Sequence, residues 1–395
     1  MSADIKIFTD EIEGQALNQC YQIAKSPVFT QARIRIMPDV HAGKGCVIGF
    51  TAQGMTKLIP NLVGVDIGCG MLTAKLEATD LDLAKLDRVI EQKVPAGFSV
   101  HEAEQREAER FLDALKCKDK IKKQSHLLCS LGTLGGGNHF IEVDRAEDGT
   151  LYLVIHTGSR NLGLQVANIY QDLAVKHCSG TDQEAIHALI RELKEQGKEQ
   201  EIQSRLKALK ESRPKVPEEL AWCSERDSRD YLHDAWIAAQ FAKENREQIL
   251  RQIMDAMDLS VAFSFHTIHN YVDLTKPETP VIRKGAISAE KEEWLLIPLN
   301  MRDGCILGQG KGNPDWNCSA PHGAGRLMSR SKAKETISLE DFQEAMKGIY
   351  STSICTATLD ESPFAYKDAS SIVEKIGDTV EIRQILKPIY NFKAH

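Results

Sequence analysis

The stretch Leu62-Val63-Gly64-Val65-Asp66-Ile67-Gly68-Cys69-Gly70-Met71 sets an aspartate and a cysteine three residues apart inside an apolar, glycine-punctuated run. Their oxygen and sulfur can reach one point only if the chain bends between them, and Gly68 permits that bend. Similar runs recur at 46–52, 138–143 and 151–155, and together with 62–71 they predict a strand-rich core. Upstream, Ala16, Leu17, Cys20, Ile23 and Ala24 carry helical spacing over 14–26. Ala32, Ile34 and Ile36 then alternate as a strand that enters the loop Pro38-Asp39-Val40-His41-Ala42-Gly43-Lys44-Gly45. Downstream, 181–217 interleaves Lys with Glu and predicts one or two exposed helices, and 231–257 is amphipathic. From Phe263 onward, His-rich and Gly-rich segments predict site loops. The expected fold class is α+β, in one domain over 1–395 with the charged helical stretch at 181–217 as an elaboration.

With 42% hydrophobic and 27% charged residues, 395 residues suffice for a sizeable core. Lys+Arg 49 against Asp+Glu 56 gives a net charge of -7, which excludes bulk attraction to nucleic acid and leaves only local contact. The first residues lack a basic segment backed by an apolar run, and no uncharged stretch approaches a bilayer span. A cytoplasmic protein without a membrane partner is expected. The 10 cysteines are expected as free thiols, mostly buried.

Four further segments pair a metal-capable side chain with small residues: Gly135-Gly136-Gly137-Asn138-His139-Phe140-Ile141-Glu142, His156-Thr157-Gly158-Ser159-Arg160, His266-Thr267-Ile268-His269-Asn270 and His322-Gly323-Ala324-Gly325-Arg326. Glycine lets backbone approach a ligand and leaves room for phosphates around an imidazole or carboxylate. A carboxylate, a thiolate and several imidazoles together suit manganese, zinc or iron better than magnesium or calcium. Cys20, Cys178, Cys223, His187 and His233 are read as packing or surface residues instead. His266 and His269 share a face in a helix and oppose each other in a strand, and periodicity does not choose between these. The glycine run at 132–137 lacks the lysine of a P-loop. Of two basic clusters, 118–123 is expected to be solvated surface. The one at 326–334, with Arg330, Lys332 and Lys334, is better placed to meet nucleic-acid phosphates.

In chain order the segments PDVHAGKG, VGVDIGCGM, GTLGGGNHFIE, HTGSR, HN, RKGA, HGAGRLMSR and AYKD closely resemble the RtcB family of RNA ligases, from about residue 35 to the carboxyl terminus. The resemblance implies an RtcB-type fold, with mixed sheets lining a central metal and nucleotide cleft and helices around it. It implies two manganese ions on Asp66, Cys69, His139, His156 and His269, with Cys69 bridging. His322 is implied as the nucleophile that takes GMP from GTP. Nucleotide contacts are implied at Asn138, His139, Glu142, His269, Asn270, Pro298, Asn300, Met301, Cys305, His322, Gly323, Ala324, Gly325, Arg326, Tyr366 and Lys393. Asn300 and Cys305 stand where the family carries serines, and Lys387 and Ala394 depart from its carboxyl-terminal pattern. These departures fall in the nucleotide pocket rather than among the metal ligands.

The implied activity is GTP- and Mn-dependent joining of RNA 2′,3′-cyclic phosphate or 3′-phosphate ends to 5′-hydroxyl ends. Histidine–GMP formation and 3′-end guanylylation are its implied steps, and tRNA halves or cleaved rRNA its substrates. Two rivals use the same residues. A dimetal RNA phosphoesterase or nuclease would activate water without GTP, and a non-catalytic RNA-binding homologue would keep the fold alone.

Overall fold

The computed structural model describes residues 3–180, 183–211 and 216–394. Its strands in chain order are β1 (Asp4–Ile7), β2 (Arg33–His41), β3 (Ile48–Gln53), β4 (Gly70–Leu76), β5 (Phe140–Arg145), β6 (Leu151–Thr157) and β7 (Val261–Ile268). They continue as β8 (Asn270–Asp273), β9 (Val281–Lys284), β10 (Ala286–Ser288), β11 (Trp294–Asn300), β12 (Gly304–Gly310), β13 (Ser319–Pro321) and β14 (Val380–Phe392). A seven-stranded sheet runs β11-β12-β14-β5-β6-β4-β7, a five-stranded sheet runs β1-β2-β3-β9-β8, and β10 pairs with β13. Strand β1 lies parallel to β2, while the pairings through the seven-stranded sheet are antiparallel. The α+β expectation agrees with this architecture.

The central strands β4, β5 and β6 of the seven-stranded sheet are buried on both faces. Leu72, Ala74, Ile141, Val143, Leu153 and Ile155 pack on one side against Ile249, Ile253 and Met257 of the helix Glu225–Met257. The alternate residues Met71, Phe140, Tyr152 and Val154 face Leu296, Leu307 and Leu386 on the other. The sheet curls until its two edges meet, where the Leu296 N–H of β11 donates to Thr267 Oγ1 of β7 at 3.2 Å.

Ser224 caps the long helix by accepting from the Asp227 N–H. The charged stretch expected at 181–217 forms the helices Gln183–Glu195 and Ile202–Glu211, and residues 181, 182 and 212–215 of that expectation lie outside the described residues. Two readings are corrected. The run 62–71 is not a strand until Gly70, because Gly64 and Gly68 hold positive φ and turn the chain. The segment from Phe263 to Ile268 is a strand rather than a loop, since β7 completes the sheet beside β4. Among the described residues no helix is long and apolar enough to cross a membrane.

Candidate metal centre and nucleotide cavity

Antiparallel order explains why residues so far apart in sequence meet. In the array β5-β6-β4-β7, the starts of β5 and β4 and the ends of β6 and β7 lie on one rim. His139 precedes β5, Cys69 precedes β4, His156 sits near the end of β6, and His269 follows β7. His269 is the single residue between β7 of one sheet and β8 of the other. Its N–H donates to Cys69 O, and its carbonyl accepts from Ala286 N.

The extended backbone also settles His266 against His269. His266 points away from the rim, accepting from Arg246 Nε at 3.3 Å and facing Glu247 at 3.3 Å. Burial, then the charges of Arg246 and Lys243, push its pKa down to about 3. The unfolded chain therefore takes a proton near pH 6.5 that the folded chain refuses, and stability falls as pH drops through that value. Urea melts between pH 7 and 4 should show the wild type losing about 1.4 kcal/mol per pH unit relative to His266→Gln below about pH 6. Parallel curves for the two proteins would remove this assignment.

Two groups of ligand atoms share one sulfur. Asp66, Cys69 and His139 form one, Cys69, His156 and His269 the other, each with its atoms within 4.8 Å of one another. Cys69 Sγ lies 3.5 Å from His139 Nε2 and 3.4 Å from His156 Nε2. His139 Nδ1 is 2.9 Å from Leu134 O, an acceptor only, so Nδ1 carries a proton and Nε2 is the atom left to bind Asp66 through a second proton or to ligate a metal. Nε2 faces Asp66 Oδ2 at 3.1 Å. Sulfur, nitrogen and oxygen thus converge where a proton or a metal cation bridges them, and among the described residues the buried Nδ1 atoms of His156 and His269 have no hydrogen-bond partner. The donor set fits a borderline divalent pair.

Electrostatics agree. Burial, then neighbouring imidazoles and cations, lowers His156 and His269 well below the ordinary imidazole range, so both remain neutral and able to ligate. Burial alone would raise Asp66, but the hydrogen bond and charge of His139, with Arg160, outweigh it and hold the carboxyl below its usual value. Burial and Asp66 push the Cys69 thiol well up, a bias that a bound divalent ion reverses.

Loops bearing these ligands are bolted to the long helix. Asn245 Oδ1 accepts from the Gly132 and Thr133 N–H groups, and its amide donates to Thr133 O, Thr157 Oγ1 and Gly158 O. Arg246 donates to Gly68 O and Thr157 O. Gly158 is required because a Cβ there would stand 2.1 Å from Asp66 Oδ1. Asn245→Ala removes a partner from the Gly132 and Thr133 N–H groups and from the Thr133 and Gly158 carbonyls, whereas Thr157 Oγ1 keeps its bond to Leu134 O. The expected cost is about 3 kcal/mol in a denaturant melt, and a change under about 1 kcal/mol would count against the bolt.

Above the metal-capable atoms lies a cavity of about 620 Å³. Its floor is Asp66, Cys69, His156 and His269, and its walls include Asn138, Glu142, Asn270, Pro298, Asn300 and Met301. His322, Gly323, Ala324, Gly325, Arg326, Tyr366 and Lys393 also line it, as does Arg330. The ring of His322 sits 4.9 Å from that of His269.

Asp39 carried no role in the sequence reading, although its PDVHAGKG segment was marked. It lies where the pairing of β2 with β3 shifts register between Ile36 and His41, and it is fully buried. Its Oδ2 lies 2.6 Å from His322 Nδ1 and accepts the His322 backbone N–H at 3.0 Å. The imidazole proton is thereby held on Nδ1, and Nε2 is left bare.

Some expected contacts are already engaged within the protein. Arg330 pairs with Asp360 at 2.6 Å and Glu361 at 2.7 Å, Lys334 pairs with Asp360, and Lys332 is exposed on the same short helix. Glu361 also receives Arg326, Lys393 and the Tyr366 hydroxyl. Four cations thus share two carboxylates, which leaves positive charge at the cavity wall for an anion. Asn270 holds Asp66 O with its amide, and Asn300 Oδ1 accepts from Arg302 N and Asp303 N to make the turn of the β11–β12 hairpin. Cys305 is buried behind Glu142 and does not line the cavity.

The family model described as tRNA-splicing ligase RtcB matches residues 19–126 and 112–394. The chain belongs to the RtcB family of RNA ligases. It is 32% identical to the RNA-splicing ligase RtcB of Escherichia coli (strain K12), over 100% of this chain and 98% of that protein. It is 27% identical to the tRNA-splicing ligase RtcB of Aeropyrum pernix, over 86% and 83% of the two chains. With that of Nanoarchaeum equitans the identity is 26%, over 94% and 89%. The RtcB resemblance drawn from the motifs agrees with these matches. The residues read as packing or surface stay away from the cluster: Cys20, Cys178 and Cys223 are buried elsewhere, His187 is exposed and His233 pairs with Asp234. No disulfide joins the cysteines.

Proposed function

We propose that the protein is a GTP- and manganese-dependent ligase that joins RNA 2′,3′-cyclic phosphate or 3′-phosphate ends to 5′-hydroxyl ends. In this reading it acts in the cytoplasm on tRNA halves or cleaved rRNA. The observation that carries the reading is His322 Nδ1 held 2.6 Å from the buried Asp39 carboxylate, with the ring beside two ligand clusters that share Cys69. Asp66, Cys69, His139, His156 and His269 would hold manganese, which when bound supplies Lewis-acid stabilisation of charge developing on phosphate. His322 Nε2 attacks the α-phosphorus of GTP, a P–N bond forms, and the bond to the pyrophosphate oxygen breaks. Asp39 stabilises the charge that the ring acquires, as a carboxylate does for a nucleophile-activating imidazole elsewhere. Arg326, Arg330 and Lys393 present positive charge to the phosphates. Water opens a 2′,3′-cyclic end to a 3′-phosphate, an oxygen of that phosphate takes the GMP as the P–N bond to His322 breaks, and a 5′-hydroxyl then displaces GMP to seal the strand.

Incubation with manganese and α-labelled GTP should give acid-labile, alkali-stable label on the protein, and γ-labelled GTP should give none. Absence of label, with RNA phosphate hydrolysis still present, would make the protein a phosphoesterase instead.

A further inference from the structure

Lys367 belongs to the segment Ala365-Tyr366-Lys367-Asp368, and none of the proposed steps uses its ammonium. The residue is only 8% exposed. Burying an ammonium is costly unless its donors find acceptors. All three do: Nζ donates to Glu11 O at 3.2 Å, to Pro38 O at 3.2 Å and to Val40 O at 3.4 Å. An ammonium has three N–H groups and no lone pair, so a ring of three carbonyls fits the charged form.

Two of those carbonyls flank Asp39, whose carboxylate holds His322 Nδ1. Lys367 also reaches the other partner of that pair. Its backbone N–H donates to Gly325 O at 3.0 Å and the Leu327 N–H donates to Ala365 O at 2.9 Å, so its segment is stitched to the loop that carries His322. The two loops pack closely, since a Cβ at Gly325 would stand 2.5 Å from Asp39 O. Asp39 also needs positive charge nearby. Its Oδ2 serves the His322 ring and backbone N–H, whereas Oδ1 is buried and has no hydrogen-bond partner among the described residues. A carboxylate so enclosed stays ionised only beside a cation. Burial pushes Lys367 below its usual range, and Asp39 is the charge that most opposes this; Glu11 and Glu13 act with it, and Lys375 acts against it.

We propose that Lys367 is a positioning residue for the nucleophile: its ammonium clamps the backbone on both sides of Asp39 and supplies the counter-charge that keeps this carboxylate turned to His322 Nδ1. The proposal rests on the ligase reading in taking His322 as that nucleophile. Contacts run from the ammonium to the flanking carbonyls, then to the carboxylate, the ring proton and the attacking nitrogen. Lys367 does not line the cavity, so it acts on the attack and leaves GTP affinity alone.

A split between rate and affinity tests it. In single-turnover labelling with manganese and α-labelled GTP, Lys367→Met and Lys367→Gln should react about 10–100-fold more slowly at saturating GTP, with half-saturating GTP moved by less than about twofold. In an Asp39→Asn background the same substitutions should slow labelling little further, because the lysine acts through that carboxylate. A merely structural role would add its own defect. Two-bond proton–nitrogen spectra of nitrogen-15 histidine protein, without added metal, give a readout apart from activity. The His322 signal, assigned by its loss in His322→Ala, should show one protonated and one bare ring nitrogen in the wild type and averaged nitrogens in the Lys367 variants. Equal labelling rates, defects that add to that of Asp39→Asn, or an unchanged His322 signal would overturn the proposal. A wild type that takes no label would remove the ligase reading, and the His322 signal would then decide the clamp alone. Should Lys367→Met fail to fold, Lys367→Gln, whose amide keeps two N–H donors, carries both measurements.

Discussion

His322→Ala is expected to take no label from α-labelled GTP, and Asp39→Asn to label about 10³–10⁴-fold more slowly than wild type with little change in melting temperature. The alanine variant has no atom to form the P–N bond. The asparagine case is subtler, because the substitution is nearly isosteric and its oxygen can still accept the His322 backbone N–H. An amide, however, can turn its NH₂ toward Nδ1. The ring proton then moves to Nε2 and removes the lone pair that attacks phosphorus. The magnitude is that of the equivalent aspartate-to-asparagine change in a serine-protease triad. Single-turnover labelling across pH separates this from a packing defect: a defect scales the whole profile, whereas a wrong tautomer changes its shape. Wild-type labelling rates in Asp39→Asn would sink the positioning role.

Cys69→Ser should empty both metal positions, whereas His139→Ala should empty one. The sulfur belongs to both ligand groups, and His139 to only one of them. A serine hydroxyl near neutral pH neither ionises nor bridges as a thiolate does, so manganese retained after dialysis should approach zero. Ligation should fall by at least about 10³-fold. Raising manganese should rescue His139→Ala far better than Cys69→Ser. Equal rescue of the two variants would mean that the sulfur is not shared.

Much of the candidate metal centre was readable because its residues flank strands whose apolar alternation is plain, and antiparallel order then brings the strand ends together. The structure gathers Asp66, Cys69, His139 and His156, all singled out from the sequence, at that rim. His266 and His269 were not separable, since only the extended conformation of β7 puts them on opposite faces. Asp39 gave no signal of its own: its role depends on a register shift that depends in turn on pairing with β3. The misread strand at 62–71 shows the converse, apolar composition overruled by glycines that turn the chain. The basic run after His322 looked open to RNA, yet Arg330 and Lys334 are held by Asp360 and Glu361, which lie about thirty residues downstream and were not singled out. Asn300 likewise spends its oxygen on its own hairpin turn.

The position of His269 between the two sheets has a thermodynamic consequence. Any ion that draws on its imidazole is tied to the backbone of both layers, through Cys69 on one side and Ala286 on the other. Ion affinity and docking of the layers are then linked functions. A substitution in β8 or β9 that loosens the five-stranded sheet must weaken metal binding by the same free energy with which the metal tightens that sheet. Chelation and distant packing mutations act on one shared equilibrium.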